Sequence, residues 1–446
     1  MKRYVIWIIA CSLLFACSKQ NMDGVPQGIE TGGIGFQRGK LTNSRYNCEL
    51  DVNTVRATCD SIAPQLLQYG VKCYRIDYYT LFEDSPVQAS ALIIIPQVPV
   101  GSPGAQQSHG GSQDAQQGQE GLLGTQQGQG GSRLGTDMKL AVYCHGTNVP
   151  IPIGNGSKMF SDYPGPGKGY DYNEIRTCAL PLAGAGFCTL VPEYTGYGFT
   201  DDQDHPFVYF PELCKSVIDG IFAAREFLRE SGIEPGKDLF LSGWSQGAGA
   251  SIATQKYLQE GWPDEFNIVS NSCLSGPYNI VHFMENLFSR QDEASLNVAL
   301  YAWACYTINR FAPGLNRPAD QIFCHNSPDQ ISSFLGTGIT PATVFRPFFI
   351  KGVLDKTDTS FCKALQQDSF HTGWVPQGRI YLHHGTDDPL VPYFNSEDAK
   401  AGLDPDNKGT VSLIPYPGGG HDTCVGRYMT ATIKAFTKDA DGNAID

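Results

Sequence analysis

A short apolar run, Asp238 to Leu241, passes through Gly243, Trp244, Ser245, Gln246 and Gly247 into a string of small residues, Ala248 to Ala253. The apolar run reads as a strand and the small residues as the opening of a helix. A strand that feeds straight into a helix turns within a few residues. Glycine on both sides of the serine removes the Cβ atoms that would collide with the adjoining strand and helix. This spacing predicts that the Ser245 hydroxyl is lifted above the end of a sheet, at a helix N-terminus where the N–H of Gln246 can meet a developing negative charge.

The flanking sequence fits such a sheet. Val71–Tyr79 and Ala89–Pro96 read as strands that lead it, after a helix over 51–67, and Leu140–Cys144, Phe187–Pro192 and Leu239–Leu241 read as further strands. Between them Glu212–Arg229 is amphipathic, with Val217, Ile218, Ile221, Phe222 and Leu228 on one face. Strands alternating with helices predict an α/β fold, a mostly parallel central sheet with helices on both faces.

The first residues carry an address. Met1, Lys2 and Arg3 precede an apolar stretch, Tyr4 to Phe15, that is too short for a ~20-residue membrane span. Leu14, Phe15, Ala16, Cys17 resembles a bacterial lipobox, so 1–16 reads as a lipoprotein signal peptide and Cys17 as the lipid-attachment residue. The expected location is the cell envelope, lipid-anchored to the outer membrane of a bacterium, or secreted, and the membrane surface is then a partner through Cys17. Loss of Lys2 and Arg3 takes the formal charge from -13 to -15. No basic run lies outside the signal, which argues against nucleic acid as a partner. Twelve cysteines remain beyond Cys11 and Cys17; Cys144 and Cys188 read as buried apolar residues, whereas Cys48, Cys59 and Cys73 could pair.

Composition then divides the chain. Residues 17–50 read as a tether, 51–275 as the first part of the core, 276–373 as an inserted helical lid and 374–446 as the second part of the core. Within the first part, 101–135 collapses to Gly, Gln and Ser, a disordered insertion between two strands. The lid is inferred from the 143 positions between Ser245 and Asp388, more than one or two strand–helix units use, and from its aromatic residues, among them Phe283, Phe288, Tyr301, Trp303, Phe334 and Phe349.

A serine becomes nucleophilic at neutral pH only with an imidazole to take its proton and a carboxylate to orient that imidazole. Arg379–His384 reads as a strand and Gly385–Pro392 as the turn beyond it, which puts a carboxylate on the nucleophile's rim. His384–Pro392 resembles the H-G-x-x-D-x-x-V-P pattern at the acid position of α/β hydrolases and selects Asp388, with Asp387 as the competing residue. After the strand-like run Val411–Tyr416, a glycine turn ends in His421, the only histidine C-terminal to the candidate acid. The second oxyanion donor is expected in the loop that follows Leu140–Cys144, where His145, Gly146, Thr147 and Asn148 stand. Thr147 is the favoured donor beside Gln246, with Gly146 giving backbone access and His145 structural.

The chain from about Val71 onward resembles α/β hydrolases of the secretory lipase type. The likeness rests on Ala91–Pro96, Tyr143–Thr147, the turn Pro192–Gly198 and the segments around Ser245, Asp388 and His421. It implies an α/β-hydrolase fold and hydrolysis of a small-molecule or lipid carboxylic ester by a Ser-His-Asp triad, with no metal and no cofactor. A serine peptidase, a polysaccharide-deacylating esterase and a non-catalytic surface protein on the same scaffold are the rival readings.

Overall fold

The computed structural model describes residues 37–98, 138–148, 160–164, 173–295, 298–324 and 339–442. Residues 1–16, read above as a signal peptide, Cys17, residues 101–135, read as an insertion, and Phe334 lie outside the described residues.

The strands are β1 (Leu41–Leu50), β2 (Gly70–Phe82), β3 (Ser85–Gln97), β4 (Leu140–Cys144), β5 (Cys188–Pro192), β6 (Asp238–Trp244), β7 (Asn267–Leu274), β8 (Arg379–Gly385) and β9 (Val411–Tyr416). They form one sheet in the order β1-β2-β3-β5-β4-β6-β7-β8-β9. Neighbours from β1 to β5 run antiparallel, and those from β5 to β9 run parallel. The helices are α1 (Val52–Thr58), α2 (Leu180–Gly184), α3 (Phe210–Glu230), α4 (Gln246–Gly261), α5 (Ile280–Ser289), α6 (Val298–Phe311), α7 (Pro341–Val344), α8 (Pro347–Leu354), α9 (Thr359–Gln367), α10 (Phe394–Leu403) and α11 (Val425–Ala440).

The continuous apolar strands follow from burial on both faces of the sheet. Ile93, Ile95, Val142, Leu239 and Leu241 share one core with Leu213, Val217 and Ile221 of α3 and Ile252 of α4. Their strand neighbours Leu92, Ile94, Ala141, Tyr143 and Phe240 enter the other, with Val55 of α1, Leu182 of α2, and Met429 and Phe436 of α11. Each fully buried aliphatic or aromatic side chain contributes roughly 1.5–3 kcal/mol, so the two cores fix which face each helix covers, while the parallel pairing from β5 to β9 brings the loops after those strands to one end of the sheet.

Two expectations need correction. Helix 51–67 is a single short helix: Asp51 caps α1 through the N–H groups of Asn53 and Thr54, the helix ends at Thr58, and Pro64 opens a separate 3-10 turn. Residues 41–50, read as the end of a tether, are the edge strand β1, paired antiparallel with β2. That strand is largely exposed and polar, so it shows no apolar alternation. Its fixed points are polar: Asn47 Nδ2 donates to the carbonyls of Ser161 and Tyr163 at 2.7 and 3.0 Å.

Between β7 and β8 the chain forms α5 to α9. The aromatic residues here divide by role. Phe288, Phe345, Phe349 and Phe361 pack on one another, with ring centroids 5.0 Å apart for Phe288–Phe345 and 4.9 Å for Phe349–Phe361, and make this segment's own core. Phe283 and Tyr301 instead border the large cavity over the sheet, while Trp303 stacks on Phe207 at 4.1 Å.

Candidate active site

Ser245 stands between the last residue of β6 and the first of α4 with φ +58° and ψ -125°. A non-glycine residue held there carries of order 1–3 kcal/mol of strain that its surroundings must offset. The flanking glycines are sterically required. A Cβ on Gly243 would lie 2.2 Å from the Gly247 carbonyl oxygen, and one on Gly247 would lie 2.0 Å from that of Cys144. The Ser245 N–H donates to the Leu274 carbonyl at 2.9 Å, which ties the turn to the neighbouring strand.

Asp388 and His421 come from the turns after β8 and β9. His421 Nδ1 lies 2.7 Å from Asp388 Oδ2. Asp388 Oδ1 accepts from the N–H groups of Leu390 and Val391 at 2.8 and 2.9 Å, and His384 Nε2 lies 3.4 Å from Oδ2. Burial by itself raises the Asp388 carboxyl; the hydrogen bonds from His384 and His421 and the charge of His421 outweigh it and hold the group well below the usual carboxylate range. Asp387 is exposed, its side chain accepting from the Thr386 hydroxyl, so the geometry separates the two adjacent aspartates.

Ser245 and His421 border one cavity of about 1280 Å³. His421 is the only histidine among the described residues that line it. Its lining is mixed: Phe207, Val208, Phe283, Leu300, Tyr301 and Val391 contribute apolar surface, and Thr147, Asn148, Asn173, Glu174, Thr177 and Asp422 contribute polar groups.

The oxyanion residues separate. Gln246 is the first residue of α4, where backbone N–H groups have no partner within the helix. Its side-chain Oε1 lies 3.2 Å from both His205 Nε2 and the Val208 N–H. Thr147 borders the cavity, as does Gly146, but the Gly146 N–H donates to Glu174 Oε1 at 2.6 Å. That engagement removes Gly146 as an oxyanion donor. His145 is fully buried, stacks on Tyr194 at 4.0 Å and meets the Gly146 carbonyl through Nδ1 at 2.8 Å. Desolvation lowers its pKa to about 3, so it stays neutral and holds the loop.

Two participants were not singled out from the sequence. Trp244, seen there only as the x of the serine turn, donates through Nε1 to the His421 carbonyl at 3.1 Å. Glu174 precedes a π-helical turn, Ile175–Ala179, and accepts from the Tyr143 hydroxyl and the Gly146 N–H, both at 2.6 Å. Desolvation pushes its carboxyl up to about 7 against the lowering effect of those hydrogen bonds and of His421. No local pattern marks Glu174; its contacts with 143 and 146 exist only in the folded chain. Among the described residues no group of three or more His, Cys, Asp or Glu side chains is arranged to hold a metal ion.

No family model and no curated protein matches this sequence. Solved structures do. A hydrolase candidate from Legionella pneumophila is similar with a TM-score of 0.69 at 20% identity, over 91% of this chain and 100% of its own. The rice cell wall degrading esterase LipA from Xanthomonas oryzae, in a ligand-bound form, gives 0.66 at 18% identity over 91% and 100%. Candida antarctica lipase A in its closed state gives 0.59 at 14% identity over 92% and 84%. The fold is therefore the α/β-hydrolase fold, with a mostly parallel sheet and helices on both faces.

Proposed function

We propose that the chain is a carboxylic ester hydrolase that works through an acyl-enzyme on Ser245. Ser245 Oγ attacks the ester carbonyl and its proton passes to His421 Nε2, while Asp388 holds the Nδ1 proton and stabilises the imidazolium. The N–H groups of Gln246 and Thr147 meet the carbonyl oxygen as it becomes negative. Collapse breaks the bond to the alcohol oxygen, which leaves with the proton from His421. Water then repeats the sequence on the acyl group and releases the acid.

The observation that carries this reading is the 2.7 Å contact of His421 with Asp388 at the edge of a cavity that also holds Ser245 in a strained strand-to-helix turn. The likeness to an esterase and a lipase agrees with it at the level of the fold. The test is hydrolysis of a chromogenic short-chain ester by the wild type and by Ser245→Ala. Loss of turnover in the variant supports the reading; equal turnover refutes it.

Cys17 is proposed as the lipid anchor that holds the enzyme to a membrane surface. Cys17→Ser should move the protein from the detergent-extracted to the aqueous fraction of its host, and an unchanged distribution would refute the anchor.

A further inference from the structure

Glu174 has one carboxylate oxygen that the fold uses and one that it does not. Oε1 accepts from Tyr143 and from Gly146, and those two bonds fix the carboxyl plane. Oε2 accepts no hydrogen bond among the described residues, and Glu174 borders the cavity that holds Ser245 and His421. The carboxyl also packs against the oxyanion loop: a Cβ on Gly146 would lie 3.3 Å from Oε1 and 3.5 Å from Oε2.

Which half of an ester meets this oxygen follows from the chemistry. The general acid must touch the leaving oxygen, so the alcohol half departs on the side of His421. Glu174 is close enough to His421 for the imidazolium charge to act on its carboxyl. Asp422, directly after His421, borders the cavity together with Asn173 and Thr177 beside Glu174. Phe283, Leu300 and Tyr301, from the inserted helices, border it with apolar surface that suits an acyl chain.

Resting on the ester-hydrolase reading above, we infer that Glu174 is a specificity-determining residue whose Oε2 accepts a hydrogen bond from a hydroxyl on the alcohol half of the substrate. The substrate class is then an apolar acyl group on a polyhydroxy alcohol. An ester without that hydroxyl displaces water from Oε2 and returns no hydrogen bond, which costs it roughly 10- to 100-fold in kcat/KM.

Glu174→Gln isolates the cavity-facing atom. At pH 8.5, above the value of about 7 at which burial places the Glu174 carboxyl, the variant's amide oxygen still accepts from Tyr143 and Gly146, while the atom facing the cavity changes from acceptor to donor. Three butyrate esters serve as probes: glycerol monobutyrate carries hydroxyls, ethyl butyrate has neither donor nor charge, and butyrylcholine has charge but no donor. The wild type should favour glycerol monobutyrate over ethyl butyrate by roughly tenfold or more, and Glu174→Gln should abolish that preference, losing roughly tenfold more on glycerol monobutyrate than on ethyl butyrate or butyrylcholine whatever loss all three share. Absence of the preference in the wild type overturns the assignment whether or not the variant folds. Equal losses of the variant on all three esters overturn it in favour of a structural role, and a loss on butyrylcholine matching that on glycerol monobutyrate overturns it in favour of charge recognition. A wild type inert toward all three esters and toward a fluorophosphonate refutes the hydrolase reading itself, and this inference with it.

Discussion

The indole Nε1 of Trp244 donates to the backbone carbonyl of His421 at 3.1 Å, so the residue before the candidate nucleophile holds the loop of the candidate base. The two rings lie 5.7 Å apart between centroids. The serine turn and the histidine loop are 177 positions apart in sequence, and this bond fixes one against the other. Positioning of this kind matters because small misplacement of reacting groups is costly in rate.

Trp244→Phe keeps an aromatic ring and removes the donor. Turnover should fall by roughly tenfold, with kcat losing more than KM rises, because the ring that borders the cavity stays aromatic while its bond to the His421 carbonyl is lost. Michaelis profiles of the two proteins on one chromogenic ester check this. A rise in KM at constant kcat would assign Trp244 to substrate binding instead.

Asp388 is the carboxylate with most at stake. It receives two backbone N–H groups and the imidazole of His421, and these hydrogen bonds hold it ionised against the cost of burial. Asp388→Asn presents either an N–H to an N–H or the wrong tautomer of the histidine. It should lower kcat by about 10³- to 10⁴-fold at neutral pH, as such replacements do in serine triads. Asp387→Asn, at the exposed neighbour, should change kcat less than about twofold. Similar losses for both would contradict the assignment of the acid.

These two residues also illustrate what the sequence made legible. Gly243 and Gly247 were readable because their need is steric and local: a Cβ at either meets backbone atoms. Chain order and turn chemistry brought the search to Asp387 and Asp388. The choice between them needed the fold, since only Asp388 turns inward to His421 and His384. Strand β1 escaped detection because it is a largely exposed, polar edge strand whose pairing with β2 needs no apolar alternation, and one of its side-chain anchors, Asn47 to Ser161, lies 114 positions away. Glu174 escaped for the same reason in sharper form, its significance arising from contacts with Tyr143 and Gly146 across a stretch with no apolar period.

Glu193, outside the reacting groups, makes a stability test. It is 2% exposed, accepts from the Ser161 N–H at 2.9 Å, and burial pushes its carboxyl up to about 7 from an ordinary 4.5. The folded chain thus binds this proton more tightly than the unfolded one. Its contribution is present at low pH and is lost as pH rises from about 4.5 through about 7. Glu193→Gln keeps an acceptor and cannot ionise, so its stability relative to the wild type should climb across that window, by on the order of 3 kcal/mol at full effect. Urea unfolding of both proteins at pH 4 and pH 8 measures the difference. The same stability gap at both pH values would show that Glu193 does not carry the buried proton.

The most direct measurement is the site of covalent capture. The wild-type protein, treated with a fluorophosphonate and digested, should yield a single phosphonylated peptide, with the added mass on the serine between Trp244 and Gln246. Modification at any other serine, or none while an ester is being turned over, would contradict the claim that Ser245 is the nucleophile.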